Sequence, residues 1–337
     1  ESPELADMYP LKMWMTLKLM ENPDRDETEL YRTFMDLYYG PAAPYLDQFR
    51  TIVATATAQK NAFIDWYANA TMFTYLNAET LLSIQQLFDQ AEAAVRDDAT
   101  LLARVRRARM PLDHEWLERG SSLRHLAYAQ GRPWDGPANL PALCAQFLDN
   151  AKEFNANSYR EGAPFDELGS KLRRKYLTPV TPLSECAGLC ENDWMEARSD
   201  ELHLYSPGEC AEHVEDPAAS DGHAARMTTN HQQWAVQWPI PRDTFGFGKA
   251  RCLVSVRCEA KAAEGPAFNL GVYDSEAKAP VAQKTMDIKA MAGEAYRTVD
   301  LGAIELKPGR YFWAAPLNNP DAVTAIYVDR VALIFEK

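Results

Sequence analysis

Residues 251–259, RCLVSVRCE, decide the fold of the second half of the chain. Cys252, Val254, Val256 and Cys258 alternate there with Arg251, Ser255, Arg257 and Glu259. Successive strand side chains point to opposite faces, so this period of two predicts a half-buried β-strand with both cysteines facing a core. Similar runs at 234–238, 268–273, 296–301, 310–315 and 324–335 are bounded by Gly, Pro, Asn and Asp. Lys307-Pro308-Gly309 reads as a turn between two of them. Many short strands at this spacing predict an antiparallel β-sandwich or jelly roll over 203–337.

Upstream the period changes to three and four, which predicts an α-helical bundle over 1–165. Leu30, Phe34 and Leu37 form an i, i+4, i+7 stripe, and Gly40 and Pro41 stop that helix and start the next. The third helix carries Tyr45, Phe49, Ile52 and Val53 towards Phe63, Trp66 and Tyr67. Asn77 and Asp98 are suited to N-caps, and Pro111 is expected to kink or break the helix around it. A last helix is expected over 140–157. Residues 166–202, interrupted by Pro179 and Pro182, read as the connection between two domains, the number expected for 337 residues.

With 47% hydrophobic and 25% charged residues, each half can bury a core. The net charge of -13 and pI near 5.0 oppose binding to phosphate backbones, so no nucleic-acid partner is expected. The basic cluster Arg104, Arg106, Arg107 and Arg109 reads as a solvated helix face. No run reaches the length of a membrane span. The chain opens at Glu1 and is rich in core-type residues from Leu11 onward, which reads as a cut through a longer protein or a processed start.

No phosphate-binding loop, dinucleotide fingerprint, nucleophile elbow or helical zinc motif occurs in the sequence. Cys186, Cys190 and Cys210 with His203 and His213 contain enough donors for zinc, yet their spacing is irregular; a disulfide from Cys210 or plain buried thiols are the alternatives. Asp193 with Glu196, or Glu215 with Asp216, are the carboxylate pairs open to acid and base roles, with solvated surface charges as the alternative. Trp194, Tyr205, Trp234, Trp238, Tyr273 and Trp313 are candidates for stacking on the apolar faces of sugar rings, although strand aromatics also fill sandwich cores.

Two stretches carry resemblances. Residues 11–43, LKMWMTLKLMENPDRDETELYRTFMDLYYGPAA, resemble a segment of bacterial proteins like the family 163 glycoside hydrolases, the likeness lying in KLMENPD and YYGPAA. That resemblance implies an upstream (β/α)-barrel, outside this chain, with paired acidic residues acting on β-linked N-acetylglucosamine, and a secreted, periplasmic or cell-surface location. Residues 213–238, HVEDPAASDGHAARMTTNHQQWAVQW, are similar to the opening of a jelly-roll carbohydrate-binding module, and Val328-Asp329-Arg330-Val331 to its closing strand. Such modules commonly hold a structural Ca²⁺ between first and last strands. The likeness then implies Glu209 or Glu215 with Asp329 as oxygen ligands, an Asp329–Arg ion pair being the alternative. No other cofactor is expected.

Together these readings predict the accessory C-terminal portion of a glycoside hydrolase, without catalytic residues of its own and with a glycan or polysaccharide as partner. A non-catalytic polysaccharide-binding or scaffold protein is the alternative. An enzyme with its site at the domain junction is a third possibility.

Overall fold

In a computed structural model of the protein, residues 5–60, 73, 75–160 and 162–336 are described. The chain divides into two compact units, Glu1–Ser121 with Asp135–Leu177, and Ser122–Trp134 with Thr178–Lys337. The first is helical and the second is a β-sandwich.

The helical unit is built from α1 (Tyr9–Glu21), α2 (Glu27–Tyr39), α3 (Ala43–Gln59), α4 (Ala78–Ala94), α5 (Ala99–Ala129), α6 (Leu140–Glu153) and α7 (Phe165–Leu177), with α5 continuing into the second unit. Polar side chains satisfy the orphan amides that open several of them. The Asp26 carboxylate accepts from the Thr28 and Glu29 N–H groups, Asn77 from Thr80, Asp98 from Thr100 and Leu101, and Asn139 from Ala142. Asn77 and Asp98 thus occupy the capping positions expected. Gly40, at φ 53°, ends α2 in a conformation a side chain would resist. A short hairpin of β1 (Ser158–Arg160) and β2 (Ala163–Pro164) precedes α7.

Four expectations need correction or restriction here. Leu30 and Phe34 are buried but Leu37 is 76% exposed, because the buried arc of α2 runs from Leu30 through Phe34 and Met35 to Tyr39 and leaves Leu37 beyond its edge. Pro111 does not break α5, which spans 31 residues. Proline forfeits one backbone bond there, a loss of about 3 kcal/mol, while its neighbours Met110 and Leu112 are buried and their packing offsets it. Residues 166–202 are not one connection. Phe165, Leu168 and Leu172 of α7 pack with Phe147, Leu148, Cys144 and Leu117, so the helical unit runs to Leu177. Phe63, Trp66 and Tyr67 lie outside the described residues.

The sandwich has two antiparallel sheets. One runs β11 (Arg297–Glu305), β8 (Lys249–Ala260), β13 (Val323–Phe335), β6 (His223–Met227), β5 (Ala211–Glu215), with β3 (Trp194–Arg198) also paired to β13. The other runs β10 (Ala279–Asp287), β9 (Pro266–Asp274), β12 (Arg310–Pro316), β7 (Val236–Pro239), β4 (His203–Leu204). Their facing sides interdigitate: Cys252, Val254, Val256, Cys258, Val328, Val331 and Leu333 meet Phe268, Leu270, Val272, Phe312 and Ala314 in one core. Cys252 and Cys258 are fully buried, and burial pushes their thiols up to about 12 and about 11. Strand β10 escaped the sequence pattern because it is an edge strand, apart from its partly buried Val281, Ala282 and Met286 mostly polar and exposed.

Truncating Leu172, 1% exposed on α7, should destabilise the helical unit by about 2–5 kcal/mol if α7 is part of that core. Urea denaturation followed by far-UV circular dichroism measures it; an effect below about 0.5 kcal/mol would return α7 to the connection.

Candidate functional site

The outer face of the β9–β12–β7 sheet follows from strand parity. In β12, Phe312 and Ala314 enter the core, which sends Tyr311 and Trp313 outward. In β9, Leu270 and Val272 enter the core, which sends Gly271 and Tyr273 outward. The register sets Tyr311 directly opposite Tyr273, and Trp313 opposite Gly271 on one side and Gln237 on the other.

Trp234, just before β7, closes the group. Its indole stacks on Trp313 at 4.7 Å and 15° and meets Tyr273 edge-on at 4.9 Å; Tyr311 lies 5.9 Å from it. Gln237 Nε2 donates to the Trp234 carbonyl at 2.9 Å, holding that residue in place. The cluster depends on Gly271. A Cβ there would stand 3.2 Å from Trp313 Cζ2 and only 2.2 Å from the Ala282 carbonyl oxygen, so glycine makes room for the indole and the neighbouring backbone. Trp313 is 3% exposed beneath Trp234, while Trp234, Tyr273 and Tyr311 are half-buried. Polar groups continue the face: Asn269 accepts from Thr285 Oγ1 at 2.7 Å, and Gln283 is exposed opposite Gly271. Beside Tyr273, Asp274 accepts from the Glu276 and Ala277 amides, from Lys307 at 3.0 Å and from Arg310 at 3.2 Å. Those donors hold its carboxyl well below the usual range, the Ala277 amide foremost.

Three of the six aromatic candidates, Trp234, Tyr273 and Trp313, therefore come together. Trp238 does not join them: it is 6% exposed and part of the core. The observed strand starts at Val236, so Val236 and Trp238 point inward while Trp234, outside the ladder, folds over the outer face. Trp194 belongs to the other sheet and packs with Leu183, Cys186, Leu253 and Ala332. Tyr205 is 47% exposed after β4, where its N–H donates to the Ala235 carbonyl. Tyr311 was missed, although its period-two relation to Trp313 in one strand was a readable signal.

The polar candidates have structural partners. Asp329 accepts from Ser220 N at 3.1 Å, Ser220 Oγ at 2.6 Å and Ser255 Oγ at 3.0 Å, with Arg330 Nε 3.4 Å away. Serine donors thus tie the 216–222 loop to the last strand where a cation was expected. Glu209 and Glu215 are exposed, and among the described residues no group of three or more His, Cys, Asp and Glu is placed to hold a metal. Neither Glu209, Glu215 and Asp329 nor Cys186, Cys190 and Cys210 are thus brought together as a group of donors among the described residues, and the six cysteines form no disulfide with one another. Glu196 pairs with Arg198 and Arg330, and Asp216 with Arg257, so neither proposed carboxylate pair is a free acid–base couple. Asp216 also accepts from Tyr296 at 2.6 Å and Ala218 N at 3.0 Å. Burial pushes its carboxyl up, but the bonds from Tyr296, Arg257 and Ala218 outweigh burial and hold it below the usual value. Arg257 lies 3.8 Å over the Tyr327 ring.

A family model described as a domain of unknown function (DUF4838) matches residues 3–51. No curated protein matches the chain. Among solved structures, the chain is similar to a family 35 carbohydrate-binding module from Clostridium thermocellum (15% identity, TM-score 0.28, covering 42% of this chain and 98% of that one). It is similar also to the CBM22-1 xylan-binding domain of a Paenibacillus barcinonensis protein (11%, 0.30, 42% and 95%). A third is a Podospora anserina GH26-CBM35 β-(1,4)-mannanase (11%, 0.27), of which the chain spans 28% while 43% of this chain is covered. No helix of the described residues is long and apolar enough to cross a membrane.

Two predictions follow from the polar ties. A chelator should leave the melting temperature of the sandwich unchanged if serines alone satisfy Asp329; a fall of several degrees that added Ca²⁺ reverses would establish a structural cation. Because the folded carboxyl of Asp216 lies below its unfolded value, its stabilisation is present above about pH 4 and is lost as pH falls through the lower folded value. Asp216→Asn should therefore flatten the acid limb of a stability–pH curve. Asp216→Ala, which leaves Arg257 the Glu259 carboxylate at 3.4 Å as its ion-pair partner, should cost about 1–3 kcal/mol at pH 7.

Proposed function

We propose that the chain is a carbohydrate-binding accessory region whose sandwich engages glycan on the Trp234, Tyr273, Tyr311 and Trp313 face. One observation carries this reading: aromatic rings from two strands and the segment before a third are gathered on the outer face of a sheet, where the hydrophobic effect alone would have placed them inside. Pyranose rings present apolar C–H faces that stack on such rings, while Gln237, Asn269, Gln283 and Thr285 offer amide and hydroxyl groups to sugar hydroxyls. The proposed target is a glycan containing β-linked N-acetylglucosamine. The proposed parent is a secreted or cell-surface glycoside hydrolase with its barrel upstream of this chain, against which the helical unit packs. The chain by itself then binds glycan without cleaving it.

Affinity electrophoresis and calorimetry with chitin oligomers, xylan and mannan test this reading. Binding should appear for at least one, and Trp234→Ala should weaken it by about 2 kcal/mol, roughly thirtyfold. Absence of binding to all three, or undiminished binding by the variant, would remove the aromatic face as a glycan site. Release of reducing sugar by this chain would overturn the accessory reading.

A further inference from the structure

The arginine cluster of α5 divides between two faces of its helix. Arg109 binds Asp89 at 2.6 Å, Glu92 at 3.2 Å and Asp113 at 3.2 Å, and Arg106 lies 3.9 Å from Glu92. Arg104 and Arg107, three residues apart and so neighbours on the opposite face, have no carboxylate partner among the described residues. Both line an open groove on the helical unit. Its walls are otherwise largely apolar, with Tyr38, Ala103 and Phe154 contributing.

The two guanidiniums are held in place by aromatic rings. Arg104 lies 4.3 Å over the Tyr38 ring and donates through Nη1 to the Tyr38 carbonyl at 3.0 Å. Arg107 lies 5.9 Å from the Tyr9 ring centroid and 6.0 Å from that of Phe154. Ring faces fix a guanidinium's position without consuming its N–H donors, so most of ten remain for a ligand. The backbone at the start of α5 is already engaged, since Asp98 takes the Thr100 and Leu101 amides, and the arginines must supply the charge.

We infer that this open groove binds a small organic anion, its carboxylate or phosphate held between Arg104 and Arg107 and its apolar body against Tyr38, Ala103 and Phe154. Paired planar forks match oxyanions in a bidentate manner. The net charge of -13 makes general attraction of anions unfavourable, so binding would have to come from this local pair.

Calorimetry on the full chain with phenyl phosphate, phenylacetate and uncharged benzyl alcohol tests the inference. Both anions should bind, the tighter one naming the oxyanion, and benzyl alcohol should bind at least roughly tenfold more weakly. Arg107→Gln, with an unchanged far-UV spectrum, should weaken anion binding by about tenfold or more, Arg107→Lys by less, and Arg106→Gln not at all. Failure of both anions to bind, equal binding of benzyl alcohol, or equal affinities in the Arg107→Lys and Arg106→Gln variants would overturn it.

Discussion

Pairing β8 with β13 places charge in a desolvated position on the outer face of one sheet, and much of the sandwich answers to that constraint. The alternation that sends Val254, Val256, Val328 and Leu333 into the core sends Ser255, Arg257 and Asp329 the other way, and a register shift between Val328 and Arg330 interrupts it beside Arg330; these four are 2–7% exposed. A buried charge without a partner costs several kcal/mol, so each must be met. The 216–222 loop meets two of them: Asp216 takes Arg257, and Ser220 donates to Asp329. Arg330 reaches Glu196 and the Thr181 carbonyl, which fastens β3 and the segment before it to the same strand. The arrangement is a set of polar ties that fasten the 216–222 loop and β3 to the central strands β8 and β13.

The opposite sheet has a different surplus. Its outer face carries large aromatic rings that a sandwich core could have used, and their packing is made possible by Gly271. Trp313 is almost wholly covered by Trp234 and serves as a floor, whereas Trp234, Tyr273 and Tyr311 keep part of their surface in water. A rigid floor limits the rotamer entropy that Trp234 loses when a ligand settles on it, which favours binding. The helical unit uses its aromatics in another way, setting Arg104 and Arg107 against their π-faces and leaving most of their N–H donors unspent.

Local chemistry wrote much of the fold into the sequence. The strict alternation in β8 announced a strand with both cysteines inward, and Asn77 and Asp98 announced helix starts, because parity and capping depend only on neighbours in the chain. Where an element's burial depended on distant partners, the reading failed. Leu37 matched a helical stripe but lies outside the arc that other helices cover. The polar composition of α7 hid a helix whose Phe165, Leu168 and Leu172 are inside. Pro111 looked like a stop and is carried through by the burial around it.

The candidate sites were legible only as residue types. Sequence determined that Trp234, Tyr273 and Trp313 were available, that Asp329 stood on a closing strand, and that four arginines clustered at positions 104–109. Tertiary structure decided that β9 and β12 in register gather Tyr273, Tyr311 and Trp313 on one face, that Trp238 turns inward with Val236, and that Trp234, outside the β7 ladder, folds over the outer face. It decided too that Ser220 and Ser255 satisfy Asp329, and that Arg106 and Arg109 find carboxylates while Arg104 and Arg107 find rings. Such partnerships join groups as far as 109 residues apart in the chain, and no local pattern encodes which of them will meet.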